Sequence, residues 1–228
     1  MEKDYLKFLV SELIFVKEDT ITNLIPQTEE KYREIFGELE NFVDVLNLNI
    51  RKIRRNIKLL DKFPPEDARK KADEEFKNDF KKFSEEVFEN ENFYIDEEKR
   101  REVEDIFREV IFHYSPKLYD FPKEDFDRAK ILFKECDKDG LLNFLERKRP
   151  KELDVSVEVL QLMRDDLEIE ISNLFERFPL NQLDMLEDKD AINFNLKRLK
   201  NVYEEYQEVY AGLREELNIK IAEKYSTP

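Results

Sequence analysis

The sequence predicts an all-α protein: an elongated helical bundle or antiparallel coiled coil carrying an inserted helical hairpin. Three observations carry that expectation. Apolar residues recur three and four apart along most of the chain. Glycine occurs only 3 times in 228 residues while charged residues make up 42%, a composition of long helices with few tight turns. Two stretches also hold a 3.5-residue apolar period over several heptads, which calls for a partner helix along one seam.

Residues 3–24 read as an amphipathic helix whose apolar set is Leu6, Leu9, Val10, Leu13, Phe15 and Val16. Pro26 is expected to end or bend it, because proline has no N–H and clashes with the preceding turn. A long helix is expected from about Thr28 to Lys62, with Phe36, Leu39, Val43, Leu46, Ile50, Ile53, Ile57 and Leu60 along its seam. Pro64-Pro65 breaks the chain, and residues 66–89 resume a helix striped by Ala72, Phe76, Phe80, Phe83 and Val87. Asn90 to Tyr94 read as a polar connection, with Asp96 placed to cap the next helix. The stretch Glu102–Leu118 carries Val103, Ile106, Phe107, Val110, Ile111 and Tyr114 on one face and stops at Ser115-Pro116.

A second amphipathic helix starts near Pro122 with Phe126, Ala129, Leu132 and Phe133, and a short one fits Leu141 to Glu146. Residues from Lys151 to Arg177 read as a further helix, striped by Leu153, Val157, Leu160, Met163, Leu167, Ile171, Leu174 and Phe178 and closed by Pro179. After a partly apolar link, Leu180 to Asp188, the last helix runs from Lys189 to Tyr225. Its heptad seam is Ile192, Leu196, Leu199, Tyr203, Tyr206, Tyr210, Leu213 and Leu217. The expected organisation is an N-terminal helical or coiled-coil region over 1–95, a hairpin segment over 96–148 and a long helical hairpin over 149–228.

Forty basic against 55 acidic side chains give a net charge of −15. That argues against nucleic acid, which is bound through cationic side chains, and against anionic membrane surfaces. No apolar run reaches the length of a membrane span, and Lys7, Glu12 and Lys17 interrupt the N-terminal segment, so it does not read as a secretory signal. The single cysteine, Cys136, is expected as a small buried hydrophobe in a reducing, cytoplasmic setting.

Two constellations fail as chemistry. Asp137-Lys138-Asp139-Gly140 has glycine at the fourth rather than the sixth position of a calcium loop, with Lys148 where a bidentate Glu is needed. Gly140 is expected instead to end a helix in a left-handed conformation. Glu109 and His113 lie one turn apart, but no second Glu-x-x-His completes a bundle metal site. No metal, no cofactor and no catalytic residue is expected.

The central segment has Phe107, Arg108, Glu109, Val110, three residues, Tyr114, then Ser115, Pro116, Lys117, followed by Phe126, Ala129 and Leu132-Phe133. This pattern resembles the middle of a J-domain, the module by which J-proteins act on DnaK-type chaperone ATPases. It covers roughly 50 residues, and it is similar to bacterial proteins in which a J-like segment sits between coiled-coil helices. The family's His-Pro-Asp is here Ser115-Pro116-Lys117, and the family's first short helix has no counterpart before Asp96, unless Phe93 and Tyr94 substitute. The resemblance implies that the Asp engages basic and polar groups on the ATPase, a contact whose sign Lys117 reverses. Read from the residues alone, the segment is a helical hairpin with proline in its loop. The expectation is a non-enzymatic interaction or scaffold protein, unable to stimulate a DnaK-type ATPase, with Phe112, His113, Tyr114, Ser115, Pro116, Lys117 and Leu118 as the partner-binding surface. Its partners are a protein, another copy bound through the heptad seams, or a DnaK-type chaperone. An active co-chaperone with a non-standard loop is the alternative, and an enzyme built from distant helices the third.

Overall fold

The computed structural model describes residues 2–88 and 96–226, and these form an all-α helical bundle. Among the described residues there is no strand, only an isolated antiparallel bridge between Tyr119 and Glu152, and no helix long and apolar enough to cross a membrane. The expected connection at Asn90–Tyr94, and any substitution by Phe93 and Tyr94, lie outside the described residues. In place of three consecutive segments bounded at 95 and 148, the chain folds as two interleaved units. One comprises Met1–Glu30 and Phe93–Leu183, the other Lys31–Asn92 and Asp184–Pro228. The physical reason is that the apolar face of the N-terminal helix is completed by residues 96–167, not by its neighbours in sequence.

The first unit is built from α1 (Glu2–Asp19), α5 (Glu97–Tyr114), α6 (Lys123–Lys134), α7 (Lys138–Leu145) and α8 (Val157–Phe175). Leu6, Val10, Ile14 and Phe15 of α1 pack with Val103, Phe107, Val110, Ile111 and Tyr114 of α5 in one core. Ile14 takes the place expected for Val16, which is 41% exposed. Phe107 stacks on Phe133 with ring centroids 4.1 Å apart. Contacts of Arg100 with Phe133 and of Tyr114 with Phe121 make α5 and α6 antiparallel. Asp96 caps α5 as expected, accepting from the N–H groups of Glu98 and Lys99 at 3.2 Å each.

The interior also holds an arginine. Arg100 is 2% exposed; its guanidinium lies 3.5 Å above the Phe133 ring centroid and donates to the Phe133 carbonyl, the Asp19 carboxylate and the Thr22 hydroxyl. α1, the turn after it, α5 and α6 are thereby tied at one point.

Pro26 neither ends nor interrupts the helix. The π-helical turn Thr20–Leu24 lies directly before α2 (Ile25–Tyr32), and the Ile25 N–H reaches back to the Thr20 carbonyl. The register slips by one residue just where proline, lacking an N–H, enters. The Thr22 and Thr28 hydroxyls donate to the carbonyls of Glu18 and Leu24 at 2.8 and 2.7 Å, satisfying backbone that the slip loosens.

Three other expectations are corrected in this unit. α8 starts at Val157, capped by the Ser156 hydroxyl, not at Lys151. Residues 151–153 are instead held alongside 118–120, with the Asp120 N–H on the Lys151 carbonyl and the Leu153 N–H on the Leu118 carbonyl. Gly140 has no positive φ. It lies inside α7, where a Cβ would stand 2.5 Å from the Asp137 Oδ2 and 2.7 Å from Leu132. The left-handed residue is Cys136, φ 54°, in the turn after α6, where it is half-buried against the core rather than fully buried.

The second unit contains α3 (Glu38–Leu60), entered through a π-helical turn at Arg33–Gly37, α4 (Pro65–Phe88) and α10 (Lys189–Ser226). The short α9 (Leu183–Glu187) leads into α10, and Asp188 accepts from the N–H groups of Asp190 and Ala191 at its start. α4 folds back on α3, with Arg55 on Glu75 and Lys52 on Asp73. The two heptad helices meet, as Phe42 on Tyr203 and Leu59 and Leu60 beside Leu217 and Ile221 show. They run in the same direction, not antiparallel. A short loop forces neighbouring helices to be antiparallel, but more than a hundred residues separate α3 from α10, which removes the constraint.

Candidate functional site

Pro116 sets the end of α5. Ser115, the residue before it, is held extended (φ −61°, ψ 124°), and its carbonyl accepts the N–H groups of Leu118 and Tyr119 at 2.9 Å each. The bend so formed joins α5 to α6, and the pairing of 118–120 with 151–153 holds its far side.

The seven residues expected at the surface divide sharply. Tyr114, Ser115 and Leu118 are buried, at 0%, 1% and 2% exposure. The Tyr114 hydroxyl donates to the Arg147 carbonyl at 2.7 Å and lies 3.1 Å from that of Leu145, while its ring meets Phe121 and Phe144 edge-on. These three anchor the bend. Phe112 and Lys117 are exposed, and His113 and Pro116 half-buried. The presented surface is therefore Phe112, His113, Pro116 and Lys117.

His113 lies edge-on to Phe112. Burial holds its pKa below the ordinary 6.5, the Arg149 guanidinium adds to that effect, and Glu109 opposes it. Burial likewise raises the Tyr119 phenol above 10.

Next to the bend lies a cleft of about 180 Å³. Ile14, Phe126 and Leu167, all buried, form its apolar floor, and Pro116 one wall. Its rim carries Lys17, Lys117, Lys123 and Lys130 together with the carboxylates of Glu18 and Asp127. Lys130 is paired with Glu18 at 2.8 Å, and Lys17 with Glu170 at 2.6 Å. The bond from Lys17 holds the Glu170 carboxyl below its usual range, and the charge on Lys117 adds to this. Of its lining, sequence reading picked out only Ser115, Pro116 and Lys117 as site residues; the rest comes from α1, α6 and α8, where each residue looks like an ordinary core or surface position.

Asp137 is a helix cap, accepting the Gly140 N–H at 2.9 Å, and no group of three His, Cys, Asp or Glu among the described residues is arranged to hold a metal ion. Comparison with protein-family models, with curated proteins and with solved structures finds no match. The J-like resemblance thus rests on the residue pattern alone.

Proposed function

We propose that this chain is a non-enzymatic, cytoplasmic protein-interaction or scaffold protein whose α5–α6 bend is a J-like docking surface that does not stimulate a DnaK-type ATPase. The observation that carries the reading is the place of Ser115-Pro116-Lys117. The tripeptide lies in the bend between two packed antiparallel helices, its first residue is built into the core, and its last carries an exposed ammonium. Where the resemblance implies an Asp that meets basic groups on the ATPase, Lys117 brings like charge, which costs roughly several kcal/mol at an interface. Ser115, at 1% exposure, sets a small buried hydroxyl where the family has an imidazole. The lone Cys136 suits a reducing compartment, and the half-exposed residues along the α10 seam offer a second contact edge for a partner helix or another copy.

The test is the steady-state ATPase rate of a DnaK-type chaperone with the whole chain and with its Lys117→Asp variant. The basal rate is expected with the unaltered chain. Stimulation by that chain, lost on Lys117→Ala, overturns the reading and establishes an active co-chaperone with a non-standard loop.

A further inference from the structure

The cleft beside the bend is small and its rim is lopsided in charge. Sites for drug-sized ligands occupy roughly 300–1,000 Å³, so about 180 Å³ fits a single side chain rather than a whole small molecule. The floor of Ile14, Phe126 and Leu167 is apolar and already buried, as the seat of an anchoring side chain is. On the rim, Lys130 is committed to Glu18 and Asp127, and Lys17 to Glu170. The ammonium groups of Lys117 and Lys123 make no ion pair or hydrogen bond among the described residues, Lys117 acting on Glu170 only at longer range. In a chain of net charge −15, four lysines against Glu18, Asp127 and Glu170 leave this rim at +1, and its two uncommitted ammonium groups reverse the local sign. An acidic partner is repelled by most of the surface and admitted here, which is how complementary charge fixes register and selects partners.

We infer that this cleft receives an acidic peptide segment of a partner protein. One leucine-like side chain seats on Ile14, Phe126 and Leu167, and flanking carboxylates meet Lys117 and Lys123. The inference deepens the docking reading above and rests on it. Nucleic acid would be drawn to the lysines but has no use for an aliphatic floor.

The test uses the full chain and a fluorescein-labelled peptide, Asp-Glu-Asp-Leu-Glu-Asp-Glu, read by anisotropy. Comparators are the same peptide with serine for leucine, the same peptide with lysine for every acid, and a single-stranded RNA oligonucleotide. The acidic leucine peptide is expected to bind and to shift the methyl resonances of Ile14 and Leu167. Combining Lys117→Glu with Lys123→Glu, both exposed and away from the core, is expected to weaken it about tenfold or more. Raising salt from about 50 to about 300 mM weakens it further, and serine for leucine costs about another tenfold. Equal binding of the serine peptide, indifference to the double substitution, or tighter binding of the RNA overturns the inference. If the peptide does not bind while the chaperone ATPase stays basal, the cleft assignment falls and the docking reading stands. Stimulated ATPase brings down the docking reading itself.

Discussion

Arg100→Met is the substitution whose cost the structure sets out most fully. The guanidinium is 2% exposed and serves the Asp19 carboxylate at 2.6 Å, the Thr22 hydroxyl at 2.9 Å and the Phe133 carbonyl at 3.1 Å. Removing one partner of a buried ion pair costs about 3–5 kcal/mol. Asp19 keeps 28% of its side chain in solvent, so water regains part of its carboxylate and the low end, about 3 kcal/mol, applies. The Phe133 carbonyl keeps the Cys136 N–H at 3.1 Å, and the Thr22 hydroxyl keeps the Glu18 carbonyl at 2.8 Å, so neither is orphaned. Losing the cation from the Phe133 face adds about 1 kcal/mol. The expected loss is about 3–4 kcal/mol, and Asp19→Asn on top of Arg100→Met returns about 1–2 kcal/mol of it. Urea unfolding by far-UV circular dichroism measures the loss, and hydrogen exchange locates it in α1, α5 and α6. A loss below about 1 kcal/mol, or exchange that rises only in the second unit, refutes the assignment of Arg100 as the tie between these helices.

His113 is the one histidine, so its imidazole resonances report a single site. Their midpoint is expected below 6.5, moving up in Arg149→Ala and further down in Glu109→Gln. Because the folded state favours neutral imidazole, the stability His113 contributes is complete above its unfolded pKa and is lost as pH falls through the folded one. His113→Gln therefore flattens that part of the pH–stability curve, and an unchanged curve contradicts it. Gly140→Ala, despite a better helix propensity, is expected to destabilise the first unit by about 1 kcal/mol through loss of the Asp137 cap. In an Asp137→Ala background the same change should cost much less. Gly212 lies inside α10 with nothing within 4 Å of where a Cβ would stand. Gly212→Ala should stabilise the second unit by about 0.5–1 kcal/mol in urea unfolding, and a loss would show that the position needs glycine.

What could be read from the sequence was local. Of the α5 stripe, Val103, Phe107, Val110, Ile111 and Tyr114 are buried and Ile106 half-buried, Asp96 caps the helix, and Pro116 stops it, because period, cap and proline act within one turn. The shared direction of α3 and α10 depends on what lies between them, which no heptad encodes. Pro26 passes unnoticed because a π turn, invisible to a 3.6-residue period, absorbs it. Leu153 continued a helical stripe, yet backbone pairing with Leu118 holds it extended. Nothing in the spacing of the sequence marks Arg100 as interior, and only its bonds to Asp19, Thr22 and Phe133 reveal it. At the candidate site, the bend could be seen in Ser115-Pro116. Which of its residues face outward could not, since Tyr114 is buried by Phe121, Phe144 and the carbonyls of Leu145 and Arg147, all distant in sequence or beyond the bend.

The measurement that bears most directly on the proposed role is the ATPase rate of a DnaK-type chaperone titrated with the full chain. A rate that stays flat as the chain is added is the predicted outcome, with an intact J-protein raising it in the same preparation. A rate that climbs with the concentration of this chain, and falls back when Lys117 is replaced by alanine, contradicts it.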